Sequence, residues 1–336
     1  MQSVPDPLVV VLGTGGTIAG VADSAGENLR YRCATLAVDA LLAALPSFEG
    51  IALESEQVAQ VDSKDMAFSI WQRLAGRVAH HAARPEVAGI VITHGTDTLE
   101  ETAYFLSRVL RIDKPVVLTG AMRPATSHEA DGPGNLADAI GTAARSGEPG
   151  VVVVMAGVIH SARDVRKMHP SRLDAFSSGD AAARGRVEHG RPDMPAWPRP
   201  EPTLGTCVLD VAAPGWPWVE IITSDVGADG RVVAALSAAG VDGIVVAATG
   251  NGTVHHALES ALVAAMAAGV RVMRSTRCAA GGIVPGAELE AIPSAGDLTP
   301  VKARIELMLR LRAERPSAVA PVAVPPVASS PQQRPV

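Results

Sequence analysis

The sequence predicts an α/β protein: a larger N-terminal domain with a mostly parallel sheet covered by helices, and a smaller C-terminal α/β domain. Three observations carry that reading. At 336 residues the chain is longer than a single core usually grows. Short apolar runs alternate with amphipathic stretches, the order that builds parallel sheets buried on both faces. A proline-dense polar segment, RPDMPAWPRPEPTL at residues 191–204, separates two such alternations as a linker would. The expected division is residues 1–190 for the first domain, 191–213 for the linker, 214–314 for the second domain and 315–336 for a tail. The tail is rich in Pro, Ala, Val and Ser with no period that could pack, so disorder is expected there.

In the first domain, Leu8 to Leu12 reads as a strand ending at glycine, and Thr35 to Leu45 as a helix stopped before Pro46. Met66 to Ala83 is the next helix and Gly89 to Thr93 a buried strand. Thr98 to Leu110 is a helix, Pro115 to Thr119 a strand, Asn135 to Arg145 a helix and Val151 to Met155 a strand. In the second domain, strands are expected at Val219–Thr223, Gly243–Ala248 and Val270–Ser275. Helices are expected at Val232–Ala239, His255–Ala268 and Pro300–Arg312. With 47% hydrophobic residues but only 3% aromatic, the cores must be aliphatic.

Composition excludes some functions. A net charge of −6 argues against nucleic-acid binding, which wants a basic face. No apolar run approaches the ~20 residues that span a bilayer, and MQSVPDP lacks the basic-then-apolar form of a secretory leader. Cys33, Cys207 and Cys278 are odd in number and widely spaced, which suits a reducing compartment; a cytoplasmic protein is expected. The doublets His80–His81 and His255–His256 read as helix surface. No metal and no cofactor are expected.

Four stretches invite a chemical reading. VLGTGGTIAG, residues 11–20, leaves a strand for a glycine-rich turn that also holds Thr14 and Thr17. The dinucleotide fingerprint fails because Ile18 stands where its third glycine belongs, and the P-loop fails because Val21 follows Gly20. The two threonines either satisfy backbone groups in the loop or hold out a hydroxyl for chemistry. ITHGTDTLEET, residues 92–102, also ends a strand and opens a helix. Thr98 with Glu101 matches a capping box, which leaves His94 to Asp97 unexplained. DSKDM, residues 62–66, reads as a cap by Asp62 or Ser63. ARDVRKMHPSRLDAF, residues 162–176, reads as a charged surface loop. Ligands in such folds bind at the carboxyl ends of strands, where the first two stretches lie.

Taken together these stretches resemble the bacterial L-asparaginase family, also called asparaginase/glutaminase. Its two signatures match Thr14–Gly20 and His94–Glu101. KPVVLTGAMRP (114–124), DGPGNL (131–136), DVRK (164–167), TGNG (249–252) and TPVKAR (299–304) are also similar, so the resemblance runs from about residue 8 to 313. It implies hydrolysis of L-asparagine to L-aspartate and ammonia through an acyl-threonine, with a glutaminase activity as the alternative, and a homotetramer built from dimers. A non-catalytic amino-acid-binding protein is the alternative from another class. The resemblance makes Thr17 the nucleophile and Tyr31, on a lid after the turn, its activator. It assigns Ser63 to the substrate carboxylate and Thr96, Asp97 and Lys167 to one hydrogen-bonded unit. Asn251 would reach a neighbouring subunit's site, accompanied by Glu288. Lys64, where the best-known secreted members carry glutamine, could add positive charge at the carboxylate end. Gly16 and the other turn glycines are expected to let the backbone approach the substrate, with N–H groups facing the oxyanion.

Overall fold

The computed structural model describes residues 6–145, 149–188, 190–195, 197, 202–209, 215–286 and 291–315. The first strand, β1 (Leu8–Gly15), is followed by a single 3₁₀ turn at Thr17–Ala19 and by α1 (Val38–Ala43). Then come β2 (Ala52–Val61), α2 (Phe68–Ala82), β3 (Val87–Thr93), α3 (Leu99–Val109), β4 (Pro115–Thr119), α4 (Gly132–Ala143) and β5 (Gly150–Met155). Five short strands complete the first half: β6 (Val158–Ser161), β7 (Arg166–Lys167), β8 (Phe176–Ser177), β9 (Gly185–Glu188) and β10 (Arg191–Asp193).

Eight of these strands form one sheet in the order β10-β9-β6-β5-β4-β3-β1-β2. Strands β1 to β5 pair in parallel, and β6, β9 and β10 extend the sheet antiparallel. Period-two alternation divides β1 between two cores. Val9 and Val11 pack with Val38 and Leu41 of α1 and Leu136, Ala139 and Ile140 of α4. Val10 and Leu12 pack with Trp71, Leu74 and Val78 of α2 and with α3. Each such side chain, removed from water, stabilises by ~1.5–3 kcal/mol.

The second half repeats the logic at smaller scale with β11 (Val219–Thr223), α5 (Arg231–Ala238), β12 (Gly243–Ala248), α6 (His256–Ala267), β13 (Arg271–Thr276) and α7 (Pro300–Glu314). Its three strands are parallel, in the order β11-β12-β13. Helices α5 and α6 cover one face through Val233, Leu258 and Leu262. Helix α7 covers the other and is also continuous with the core beneath α2 and α3. It is buried nearly all round, Lys302, Glu306 and Arg312 included. Glu306 accepts hydrogen bonds from Tyr104 Oη at 3.0 Å and from Arg108 Nε at 2.7 Å, both on α3. Removing one partner of such a buried ion pair costs ~3–5 kcal/mol.

The strands and helices expected from the sequence are present, with ends shifted by a few residues. Helix α1 is shorter than expected, starting at Val38. Strand β2 was not expected at all. Its sequence, ALESEQVAQV, is polar because it is the sheet edge, where Glu54 and Glu56 reach Arg84 and Arg77. His81 departs from the surface expectation. It is buried, with Nε2 2.8 Å from Glu56. His255 caps α6 by accepting from Ala257 N–H. Residues 316–336, where the expected tail lies, fall outside the described residues. Among the described residues no helix is long and apolar enough to cross a membrane.

Candidate active site

The carboxyl ends of β1 and β3 meet so closely that only glycine fits between them. A Cβ on Gly16 would stand 2.3 Å from Gly95 Cα, and a Cβ on Gly95 would stand 2.5 Å from Ser63 Oγ. Gly16 also has φ of 81°, a conformation that side chains rarely adopt. Its N–H donates to Val61 O at 2.9 Å, which corrects the expectation that this amide faces an oxyanion. The glycines here bring two strand ends together.

That convergence separates the two threonines of the opening turn. Thr14 Oγ1 donates to Thr93 O at 2.8 Å and is buried; it satisfies the backbone. Thr17 Oγ1 lies 2.9 Å from Tyr31 Oη, and both line a cavity of about 110 Å³ with Cys33, Asp62, Ser63, Thr96, Asp97, Met122, Lys167 and Pro170. Lys167 Nζ donates to Thr96 Oγ1 at 2.9 Å and to Asp97 Oδ1 at 2.6 Å. Asp97 N–H donates to Ser63 Oγ at 3.2 Å. The Asp97 carboxylate is 59% exposed and the Lys167 side chain only 15%, so the pair presents an anion at the mouth and a cation inside.

A buried relay aims the β3 end of the site. Trp71 Nε1–H donates to Thr102 Oγ1 at 2.8 Å. Thr102 in turn lies 2.9 Å from His94 Nε2, and His94 Nδ1 lies 2.8 Å from Gly95 O. A consistent assignment has Thr102 donating to Nε2 and Nδ1–H donating to the carbonyl. Burial pulls the His94 pKa down to about 4, so the ring is neutral. Because the peptide is trans, holding Gly95 C=O on one side turns Thr96 N–H to the other. Among the described residues neither Thr17 N–H nor Thr96 N–H has a hydrogen-bond partner.

The chain after the turn folds back over Thr17. Val21 and Arg32 form a reciprocal backbone bridge at 2.9 Å. Ala22 N–H donates to Thr126 Oγ1 at 2.9 Å, and Ser127 Oγ to Asn28 Oδ1 at 2.7 Å. Tyr31 packs over Gly20, where a Cβ would touch its ring at 2.9 Å. Burial raises the Tyr31 pKa, and the hydrogen bond to Thr17 opposes that rise.

Thr17, Tyr31, Ser63, Thr96, Asp97 and Lys167 are thus brought together, as expected. Lys64 departs from expectation. Its ammonium is held by Asp62 at 2.7 Å and Asp65 at 3.1 Å, and it is not among the residues lining the cavity. Asp62 caps the 3₁₀ turn at Ser63–Asp65 through Lys64 N–H. The capping box at Thr98 does not form. Thr98 Oγ1 donates to Ser63 O at 2.8 Å and ties the two loops together. Asn251 lies in the other half, exchanging hydrogen bonds with the Val284 backbone. Glu288 lies outside the described residues. Sequence reasoning missed Cys33, Met122 and Pro170 as lining residues. Cys33 sits two positions after Tyr31, in the turn that follows the bridge at Arg32.

Residues 8–198 match the family model described as Asparaginase, N-terminal, and residues 218–319 the one described as Glutaminase/Asparaginase C-terminal domain. The chain belongs to the asparaginase family. It is 39% identical to L-asparaginase 2 of Escherichia coli K12 over 313 residues, 91% of this chain and 89% of that one. It is 38% identical to a glutaminase-asparaginase of Pseudomonas fluorescens biotype A, covering 90% of this chain and 86% of that one. A crystal structure of a probable cytoplasmic L-asparaginase from Campylobacter jejuni superposes with a TM-score of 0.83 at 37% identity, covering 91% of this chain and 95% of that one. The asparaginase relatives also include a probable periplasmic enzyme of Haemophilus influenzae, 38% identical over 91% of this chain and 88% of that one.

Proposed function

We propose that the protein hydrolyses the side-chain amide of L-asparagine to L-aspartate and ammonia, with Thr17 as the nucleophile. The observation that carries this is the hydroxyl pair Thr17–Tyr31, 2.9 Å apart in a small cavity that also holds Ser63, Thr96, Asp97 and Lys167. Asp97 receives the α-ammonium and Ser63 the α-carboxylate, which clamps the amide carbon against Thr17. Such positioning lowers a barrier by ~7–11 kcal/mol. Thr17 is stiff about its first side-chain torsion, so its oxygen stays aimed.

With its pKa raised by burial, Tyr31 is protonated at neutral pH. It serves as a relay: it accepts the Thr17 proton as the C–O bond forms and gives its own to the amide nitrogen, which leaves as ammonia. Thr17 N–H and Thr96 N–H supply the oxyanion donors, each worth ~3–4 kcal/mol in comparable sites. Collapse of the tetrahedral adduct breaks the C–N bond, releases ammonia and leaves an ester on Thr17. Water, held by the Thr96–Asp97–Lys167 unit, then attacks that ester; the bond from the acyl carbon to Thr17 Oγ1 breaks, and the water's proton is returned to Thr17 as aspartate is released. Ammonia release from asparagine, compared between wild type and Thr17→Ala, tests the assignment. An acyl group trapped on Thr96 would reverse the threonines' roles.

The second reading, a dual glutaminase-asparaginase, is favoured by the likeness to an enzyme of that name. One methylene is worth ~1–3 kcal/mol in a pocket, so assays with both amino acids decide it. The proposal extends to a cytoplasmic homotetramer of two-domain subunits, divided within the expected 191–213 stretch after β10 (Arg191–Asp193) has closed the first sheet, with Asn251 and Glu288 completing a neighbouring site. Sizing and fractionation test those parts, and an active monomer would remove the cross-subunit role.

A further inference from the structure

Lys167 belongs to a short segment, residues 161–167, that the C-terminal half of the chain grips from two sides. From inside, Lys302 on α7 is completely buried. Its ammonium donates to Arg163 O at 2.7 Å and to Val165 O. From outside, Arg163 pairs with Asp297, while Arg166 donates to Ala279 O at 3.0 Å and Asp297 O at 3.1 Å. At the end of the segment Lys167 N–H donates to Glu100 Oε2 at 3.2 Å, on the first turn of α3.

A completely buried ammonium is expensive unless its donors are met. Here it is spent on two main-chain carbonyls, two and four residues before Lys167. Those carbonyls set the path of β7, and β7 sets where Lys167 Nζ lies relative to Thr96 and Asp97. The charges around Lys302 are Glu100 on α3 and Arg163, Asp164 and Arg166 on the segment. His160 on β6 is also near enough to feel Lys302. Burial raises the Glu100 pKa, and Lys302 leads the charges that oppose this. The same ammonium therefore holds the carbonyls before Lys167 and lies close to the carboxylate that accepts the Lys167 N–H.

We propose that Lys302 is a positioning residue for the reaction: from the C-terminal half it fixes the backbone of residues 163–167 and so aims the Lys167 ammonium at Thr96 and Asp97. This inference rests on the amidohydrolase reading. The test uses the full-length chain, with Lys302→Met as the probe and melting temperature measured alongside kinetics. Well below its melting point the variant loses about 10²-fold in kcat for asparagine, the scale of a 1 Å misplacement, while KM moves by only a small factor. An unchanged kcat in a folded Lys302→Met protein overturns the proposal, and so does a loss confined to KM.

Arg166→Leu supplies the second arm and decides the matter if Lys302→Met does not fold. It cuts the outer grip without stranding a buried charge, and a smaller fall in kcat at constant KM is expected; none overturns the proposal. Wild-type protein that releases no ammonia from asparagine fails the parent reading. Active wild type with indifferent variants fails this inference alone.

Discussion

The strand ends of the two sheets are built from similar residues and do different things. At the ends of β12 and β13, hydroxyls and a guanidinium terminate on main-chain carbonyls. Thr276 Oγ1 donates to Gly250 O at 2.7 Å and Arg274 Nη1 to Gly252 O at 3.2 Å; the Thr249 and Thr253 hydroxyls lie 2.8 Å apart, but each also reaches the other's main-chain carbonyl, at 2.9 and 3.1 Å. Around the ends of β1 and β3 the polar side chains also find one another: Thr17 with Tyr31, and Lys167 with Thr96 and Asp97. A hydroxyl bonded to a carbonyl is committed to holding a loop. A hydroxyl bonded to another titratable or hydroxyl group can hand over a proton. The contrast even divides a single turn, with Thr14 committed to Thr93 O and Thr17 not.

The strongest attempt to break that comparison is Thr17→Ala beside Thr14→Val. Loss of the nucleophile is expected to lower kcat by ~10⁴-fold or more with little change in stability. Thr14→Val is expected to keep kcat within a small factor and to cost ~1–2 kcal/mol in denaturant unfolding. Comparable kinetic losses in both variants would erase the distinction.

Acid titration of stability sharpens it next. His94 and His160 are buried, and burial draws each from the ordinary 6.5 to about 4. The unfolded chain binds these two protons first, so stability rises with pH between about 4 and 6.5 and is flat above that window on their account. Each ring contributes on the order of 3 kcal/mol. Urea unfolding from pH 4.5 to 7.5 checks the slope, and His94→Phe is expected to reduce it.

Gly95→Ala comes third. A Cβ 2.5 Å from Ser63 Oγ forces the strand ends apart, at ~1–3 kcal/mol. Because Ser63 is the displaced neighbour, KM for asparagine is expected to rise. The smallest effect belongs to Thr276→Val, ~1 kcal/mol of stability with kcat unchanged. A kinetic effect there would show that the second sheet's turns also serve chemistry.

Much of this was legible in the sequence because both signatures lie at strand ends, where β-rich runs stop at Gly15 and Thr93 and polar residues take over. The family likeness then singled out Lys167 from a run whose composition reads as plain surface. What stayed hidden was hidden for physical reasons. Strand β2 is an edge, so its Glu54 and Glu56 alternate with smaller residues and mimic a loop. Thr98 and Glu101 spell a capping box, but the local option lost to a contact with Ser63 O, 35 positions away. Lys64 stands where a ligand contact is expected, yet Asp62 and Asp65 on its own turn capture it. Lys302 was visible only as part of TPVKAR, and nothing in that string shows a cation enclosed by a distant segment.

Helix α7 has a consequence for how molecules enter and leave. Swinging the halves of the chain apart would break the Lys302 and Glu306 contacts and expose to water the apolar side chains of α7, Ile305, Met308 and Leu309 among them, that share one core with α2 and α3. A clamshell motion is therefore closed to this protein. The segment from Val21 to Ala34, by contrast, is tied to residues 126, 127 and 128 by single hydrogen bonds, each of which costs far less to break.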